Sequence, residues 1–197
     1  LATRRGAQIM ATPVSVPDWD TGSPLRNLVR WHLTNETQSF VHAGTLGQDG
    51  RGLMLAGPGG SGKSGTVLAG ILAGMDSVGD DYVLARLMPG GRVSTVPVFN
   101  TLKNDPKGLE RLGVDITEHG RFAGLGFINW QGKHQFTFQE LVNRDPVPEL
   151  DVQALCVPKV TGAARTTIAP MSRAAAFLAL SKTGFVQMPG DSRISLN

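Results

Sequence analysis

Gly57-Pro58-Gly59-Gly60-Ser61-Gly62-Lys63-Ser64 fills every fixed position of the pattern G-x-x-x-x-G-K-[ST]. Ahead of it, Leu53-Met54-Leu55-Ala56 is short and apolar enough to be a buried strand; behind it, residues 64–73 are rich in Ala, Leu, Val and Ile and read as a helix. The order strand, glycine-rich turn, helix gives the pattern its chemistry. Gly57, Gly59, Gly60 and Gly62 let the chain turn tightly with its amides inward, so the N–H groups from Gly59 through Ser61 and Ser64 to Gly65 form a nest for phosphate oxygens. The helix start adds the positive end of its dipole. Lys63 supplies a point charge and the Ser64 hydroxyl a ligand for Mg²⁺. The overlapping Gly57-x-Gly59-x-x-Gly62 also fits a dinucleotide fingerprint, but the Lys-Ser ending favours a nucleoside triphosphate. A nucleoside triphosphate and Mg²⁺ are the expected ligands.

The chain has 197 residues, enough for one domain with a core that needs no disulfide or metal. Its formal charge of +3 comes from scattered Lys and Arg with no basic stripe, so a nucleic-acid partner is not expected. The single Cys156, between Leu155 and Val157, excludes an internal disulfide and reads as a buried thiol. No apolar run approaches the roughly 18 residues a membrane span needs, and no secretory leader is visible, so a cytoplasmic protein is expected.

Residues 1–36 read as a lead-in and residues 37–197 as one compact phosphate-binding unit. The lead-in contains Pro13 and Pro17, then Ser23 as N-cap and Pro24 as first residue of a helix whose Leu25, Leu28, Val29 and His32 share a face. Arg26 and Arg30 then lie together on a solvated side. Residues 37–43 have strand character and carry His42 towards the turn at 47–50. Asp80 and Asp81 head a second apolar strand. Neighbours on a strand point to opposite faces, so the two carboxylates serve different roles unless the chain bends at Gly79; a plain turn is the competing reading. Further strands are expected at 92–99, 136–138 and 153–160, a helix from Asp105-Pro106, and an Ala-rich helix at 172–180 packed on the sheet. Lys103 reads as a surface lysine. His119 and His134 have no second ligand at metal spacing.

The ordered set Val41-His42-Ala43-Gly44, then Gly57 to Ser64, then Gly79-Asp80-Asp81-Tyr82-Val83, with Gly124-Leu125-Gly126-Phe127-Ile128-Asn129 beyond, resembles the catalytic domain of HPr kinase/phosphorylase and its relatives, including kinases associated with lasso-peptide biosynthesis. The resemblance implies an α/β fold with a mixed, mostly antiparallel sheet around the phosphate loop. It implies an ATP-dependent kinase that passes the γ-phosphoryl group to a serine-type hydroxyl of a peptide, protein or small molecule. In that picture Lys63 bridges the β- and γ-phosphates, Asp80 is the base assisted by His42, and Asp81 joins Ser64 at Mg²⁺. Arg165, on the loop 161–165, stabilises charge on the transferring group. The chain departs from the family where Phe122-Ala123 stand in place of a Glu and an Arg. The rival class is a non-catalytic ATP-sensing regulatory module, which keeps Lys63 and Ser64 but has no need of Asp80 facing the phosphates. A homo-oligomer is compatible with either.

Overall fold

In the computed structural model, which describes residues 2–3, 6–7 and 21–184, the chain opens with two short antiparallel strands, β1 (Ala2–Thr3) and β2 (Gly6–Ala7). The expected loop around Pro13 and Pro17 and residues 185–197 of the second expected unit lie outside the described residues. Helix α1 (Arg26–Leu33) begins later than the Ser23-Pro24 signal implies. Leu25 caps it with a left-handed φ of 58°, its carbonyl accepting the Leu28 and Val29 amides, while Ser23 is buried and its carbonyl accepts the Arg26 N–H. Nor do the arginines of this helix form a solvated pair: Arg30 is 4% exposed, and Arg26 lies over the Tyr82 ring, 5.9 Å from its centre.

Strand β3 (Gln38–Val41) ends just before His42. Strands β4 (Gly44–Gln48) and β5 (Arg51–Leu55) form a hairpin across Asp49-Gly50, whose φ values of 53° and 74° suit the tightest turn between right-twisted strands. Helix α2 (Lys63–Leu72) follows the glycine-rich loop. Then come β6 (Val83–Leu87), β7 (Val93–Pro97), β8 (Thr101–Asn104) and α3 (Pro106–Arg111), the last capped by the Asp105 carboxylate accepting the Gly108 amide at 2.9 Å. Strand β9 (Phe127–Ile128) leads to β10 (His134–Thr137). The strand expected through Phe138 stops at Thr137, because Thr137 and Glu140 close a reciprocal capping box that starts α4 (Phe138–Val142). Strand β11 (Leu150–Cys156) starts earlier than expected and leaves Cys156 half-buried rather than buried; α5 (Arg173–Gly184) closes the described chain. No helix among the described residues is long and apolar enough to cross a membrane.

Six strands form the main sheet in the order β3-β6-β7-β11-β5-β4, with β11–β5 parallel and every other pair antiparallel; β8, β10 and β9 form a second, antiparallel sheet. The architecture is therefore mixed α/β with a mostly antiparallel sheet, as the resemblance implies. Strand alternation splits the core. Leu53 and Leu55 of β5 face α2 through Val67, Leu68 and Ile71, and the same cluster continues into the second sheet through Leu102, Phe136 and Phe138. Met54 faces the other side with Val41, Val83, Leu150 and, from α5, Leu180. Through Leu180 helix α5 packs on the sheet as expected, while Phe177 and Leu178 are about half exposed.

Gly126 sits at a φ of 57° where an added Cβ would overlap the Gln135 carbonyl oxygen. Gly126→Ala is expected to cost about 3 kcal/mol, combining left-handed strain with a backbone clash, and to lower the melting temperature by about 5–10 °C. A thermal melt of the variant checks this, and an unchanged melting temperature would contradict the close approach of β9 to β10.

Candidate functional site

The loop between β5 and α2 is held by its own main chain. Gly57, Gly60 and Gly62 take φ values of 142°, 77° and 101°, where a side chain would be strained, and Gly62 caps α2. Lys63 is the first residue of the helix and is buried; its ammonium donates to the carbonyls of Gly57 at 2.7 Å and Pro58 at 3.2 Å. Burial pulls the Lys63 pKa below its ordinary value, against the opposing pull of Asp80 and Asp81 nearby. Ser64, half-buried, follows it at the helix start, where amides and dipole favour an anion.

Asp80 and Asp81 do not sit on a regular strand. Asp81 has a φ of 81° and the Tyr82 amide donates to the Asp80 carbonyl at 3.1 Å, a three-residue turn of the strained, positive-φ kind. Strand β6 begins only after it, at Val83. The turn is anchored from below by a buried hydroxyl network. Thr45 of β4 accepts the Val78 amide at 3.0 Å and contacts the Ser77 hydroxyl at 3.1 Å, while its amide donates to the Gly79 carbonyl at 3.0 Å. The chain thus turns at Gly79 to Asp81 instead of running on as a strand, so strand alternation does not decide where the two carboxylates point.

The two carboxylates meet different surroundings. Asp80 is 2% exposed, and neither of its oxygens has a hydrogen-bond partner. Burial first, and then the charge of Asp81, push its pKa from 3.8 up to about 6. The Ser64 hydroxyl approaches it and offsets part of that rise, without reaching the geometry of a hydrogen bond; Lys103 and His42 each offset a smaller part. Gly44 leaves the room, since an added Cβ there would lie 3.1 Å from Asp80 Oδ1. Asp81 is 23% exposed and doubly paired: His42 Nε2 lies 2.8 Å from Oδ1, and the Lys103 ammonium makes an ion pair with Oδ2. Burial pushes Asp81 up, but the His42 hydrogen bond and the Lys103 charge outweigh it and hold the carboxyl well below the usual range. Tyr82 stacks on His42 with ring centres 5.0 Å apart and is itself stacked on Phe40, which fixes the imidazole plane. Its phenol is pushed up to about 12 by burial and by Asp81.

The structure therefore brings Lys63, Ser64, Asp80, Asp81 and His42 together, but in a different pairing from the expected one. His42 meets Asp81 rather than Asp80, and the Ser64 hydroxyl approaches Asp80 rather than Asp81. The physical reason is the positive-φ turn, which swings Asp81 outward to the β3 and β8 side and leaves Asp80 under the glycine-rich loop. Lys103 is not a surface lysine; its side chain is 18% exposed and belongs to the cluster. Arg165 is exposed on the loop after β11, and among the described residues none forms an ion pair with it. Val160 of the same loop does reach the glycine-rich loop, close to Gly62. Lys103, Tyr82 and Thr45 are the members that sequence reading misses or misplaces; an i, i+2 pair of half-buried polar residues at Thr101 and Lys103 is the only local signal for the first.

The oxygen donors suit a small hard cation. Asp80 offers two buried, unpartnered carboxylate oxygens beside the Ser64 hydroxyl, and Mg²⁺ needs few protein ligands because it keeps waters and phosphate oxygens. Among the described residues no cluster of three or more His, Cys, Asp or Glu is arranged to hold a metal by protein groups alone.

No family model matches the chain, and no curated protein does. Among solved structures it is similar to the Hpr(Ser) kinase/phosphatase from Coxiella burnetii, at 18% identity and a TM-score of 0.40, over 60% of this chain and 64% of that one. The chain thus spans less than two thirds of that protein's length, and a likeness of this extent assigns no role to any residue.

Proposed function

We propose that the chain is an ATP-dependent phosphotransferase that passes the γ-phosphoryl group to a hydroxyl of a peptide, protein or small molecule. The observation that carries the reading is one meeting point. The Lys63-Ser64 helix start, a buried carboxylate without a partner and a second carboxylate paired to histidine and lysine all converge there. A module that only sensed ATP has no use for the second carboxylate.

In this reading the amides of Gly59, Gly60, Ser61, Gly62 and Gly65 hold the β-phosphate, and Lys63 exchanges its loop carbonyls for the β- and γ-phosphate oxygens. Ser64 and Asp80 are the residues that would hold Mg²⁺, which when bound would neutralise charge on the phosphates. Asp81, exposed enough to meet an acceptor, takes the hydroxyl proton as the new oxygen–phosphorus bond forms and the bond to the β-phosphate oxygen breaks, releasing ADP. Because such transfer is loose, orientation of the hydroxyl matters more than the basicity of Asp81, so a depressed pKa is compatible with the role. His42, clamped by Tyr82, and Lys103 fix the carboxylate in place. The mechanism needs no contribution from Arg165.

The test is transfer of label from γ-labelled ATP with Mg²⁺ to a panel containing free serine, HPr and serine-terminated peptides, with Lys63→Ala as blank. Label on one acceptor, absent in the blank, supports the reading. Binding of ATP with no label moved to any acceptor or to water returns the chain to the sensing class.

A further inference from the structure

A cavity of about 580 Å³ opens between the lead-in to α1, the β7–β8 connection and the turn after α4. Its size is that of a pocket for one small molecule or a short stretch of peptide. Its walls are mixed, with apolar surface from Pro24, Pro97, Phe99 and Pro146 and polar groups from Thr21, Asn100 and Thr101; among the described residues the one charged group lining it is Asp145, exposed and without an ion-pair partner there.

The cavity borders the Asp81 cluster along two walls. Thr101 and Lys103 alternate onto the same face of β8, roughly 7 Å apart along the strand, and Lys103 holds Asp81. Gly22, next to Thr21 on the cavity wall, packs against Lys103, where an added Cβ would lie 3.5 Å from Nζ. On the other wall Phe99 meets Phe40 edge-on, Phe40 stacks on Tyr82, and Tyr82 stacks on His42.

Resting on the phosphotransfer reading, we propose that this cavity seats the body of the acceptor, and that it takes a hydroxyl compound with an apolar skeleton and a cationic amine or guanidinium group. The hydroxyl then points along β8 towards Asp81, and the cation lies against Asp145. An anionic body finds no cation on the lining and meets the Asp145 carboxylate instead.

Three probes share one apolar skeleton and one hydroxyl and differ in charge: phenylalaninol, its neutral N-acetyl derivative, and anionic 3-phenyllactate. Binding is read from amide shifts of Phe99 and Asn100 in the full chain, without nucleotide. Phenylalaninol is expected to bind about fivefold more tightly than phenyllactate, the scale of one exposed ion pair, with the neutral probe between them. Asp145→Lys, at an exposed position that leaves the fold intact, should invert the order. No binding of any probe up to about 10 mM, or the same order in Asp145→Lys, overturns the assignment. Transfer of label from γ-labelled ATP by the wild-type chain to the acceptor panel reports separately on the phosphotransfer reading, because it can fail while the probes still bind, and the probes can fail to bind while label still moves.

Discussion

Asp81→Asn is expected to lower phosphoryl transfer at least about a hundredfold while leaving ATP affinity within about twofold of wild type. The substitution is informative because it keeps the backbone. Asn is nearly isosteric and, after Gly, is among the residues that best tolerate positive φ, so the turn at 81° survives. What disappears is the negative charge on which His42 and Lys103 converge, and with it the group that orients and deprotonates the acceptor. Alanine at this position would mix in backbone strain and blur the result. Single-turnover transfer and nucleotide binding are measured side by side. Unchanged transfer removes Asp81 from the mechanism; an equal loss of both quantities moves it to the phosphate side.

Asp80→Asn separates the two carboxylates through a stability measurement as well as an activity. Burial holds the Asp80 carboxyl near 6 against an ordinary 3.8, so between those pH values the folded chain binds a proton that the unfolded chain releases. Stability therefore falls as pH rises through that window and stays lower above it. The penalty at neutral pH is on the order of 2–3 kcal/mol, and the neutral amide removes it. Without Mg²⁺ the variant should melt near the wild-type temperature at pH 4 and about 5–10 °C above it at pH 8. Added Mg²⁺ should stabilise the wild type and not the variant, and the Mg²⁺ needed for half-maximal transfer should rise at least about tenfold. A melting-temperature gap that does not widen with pH would show that Asp80 is not a destabilised, unpartnered carboxylate, and the metal role would go with it.

How much of this can be read from the chain depends on the distance over which each feature is determined. The glycine-rich loop, its strand and its helix are set by eight consecutive residues and their flanks, and the start of α3 by Asp105-Pro106; both are plain in the sequence. The site's orientation is not. Which carboxylate faces which neighbour depends on a turn pinned by Thr45, a residue more than thirty positions away in sequence from the Val78 amide it accepts. Lys103 looks like any surface lysine until Gly22 and Asp81 are packed around it. Ser23-Pro24 carries a helix-start signal, yet Leu25 adopts the cap geometry and Ser23 is buried. Local capping chemistry there yields to the packing of the lead-in.

The place of β11 in the main sheet bears on how the molecule can be made. It is the last strand among the described residues but lies between β7 and β5, so it joins β3-β6-β7 to β5-β4. While a ribosome is still synthesising residues before Leu150, those two groups of strands have no shared ladder, and each presents an open edge. The strand that leads into the glycine-rich loop gains its parallel neighbour only when residues 150–156 emerge. The glycine-rich end of the site thus becomes rigid only after residues 150–156 have emerged, and the nascent chain depends until then on protection of its unpaired edges.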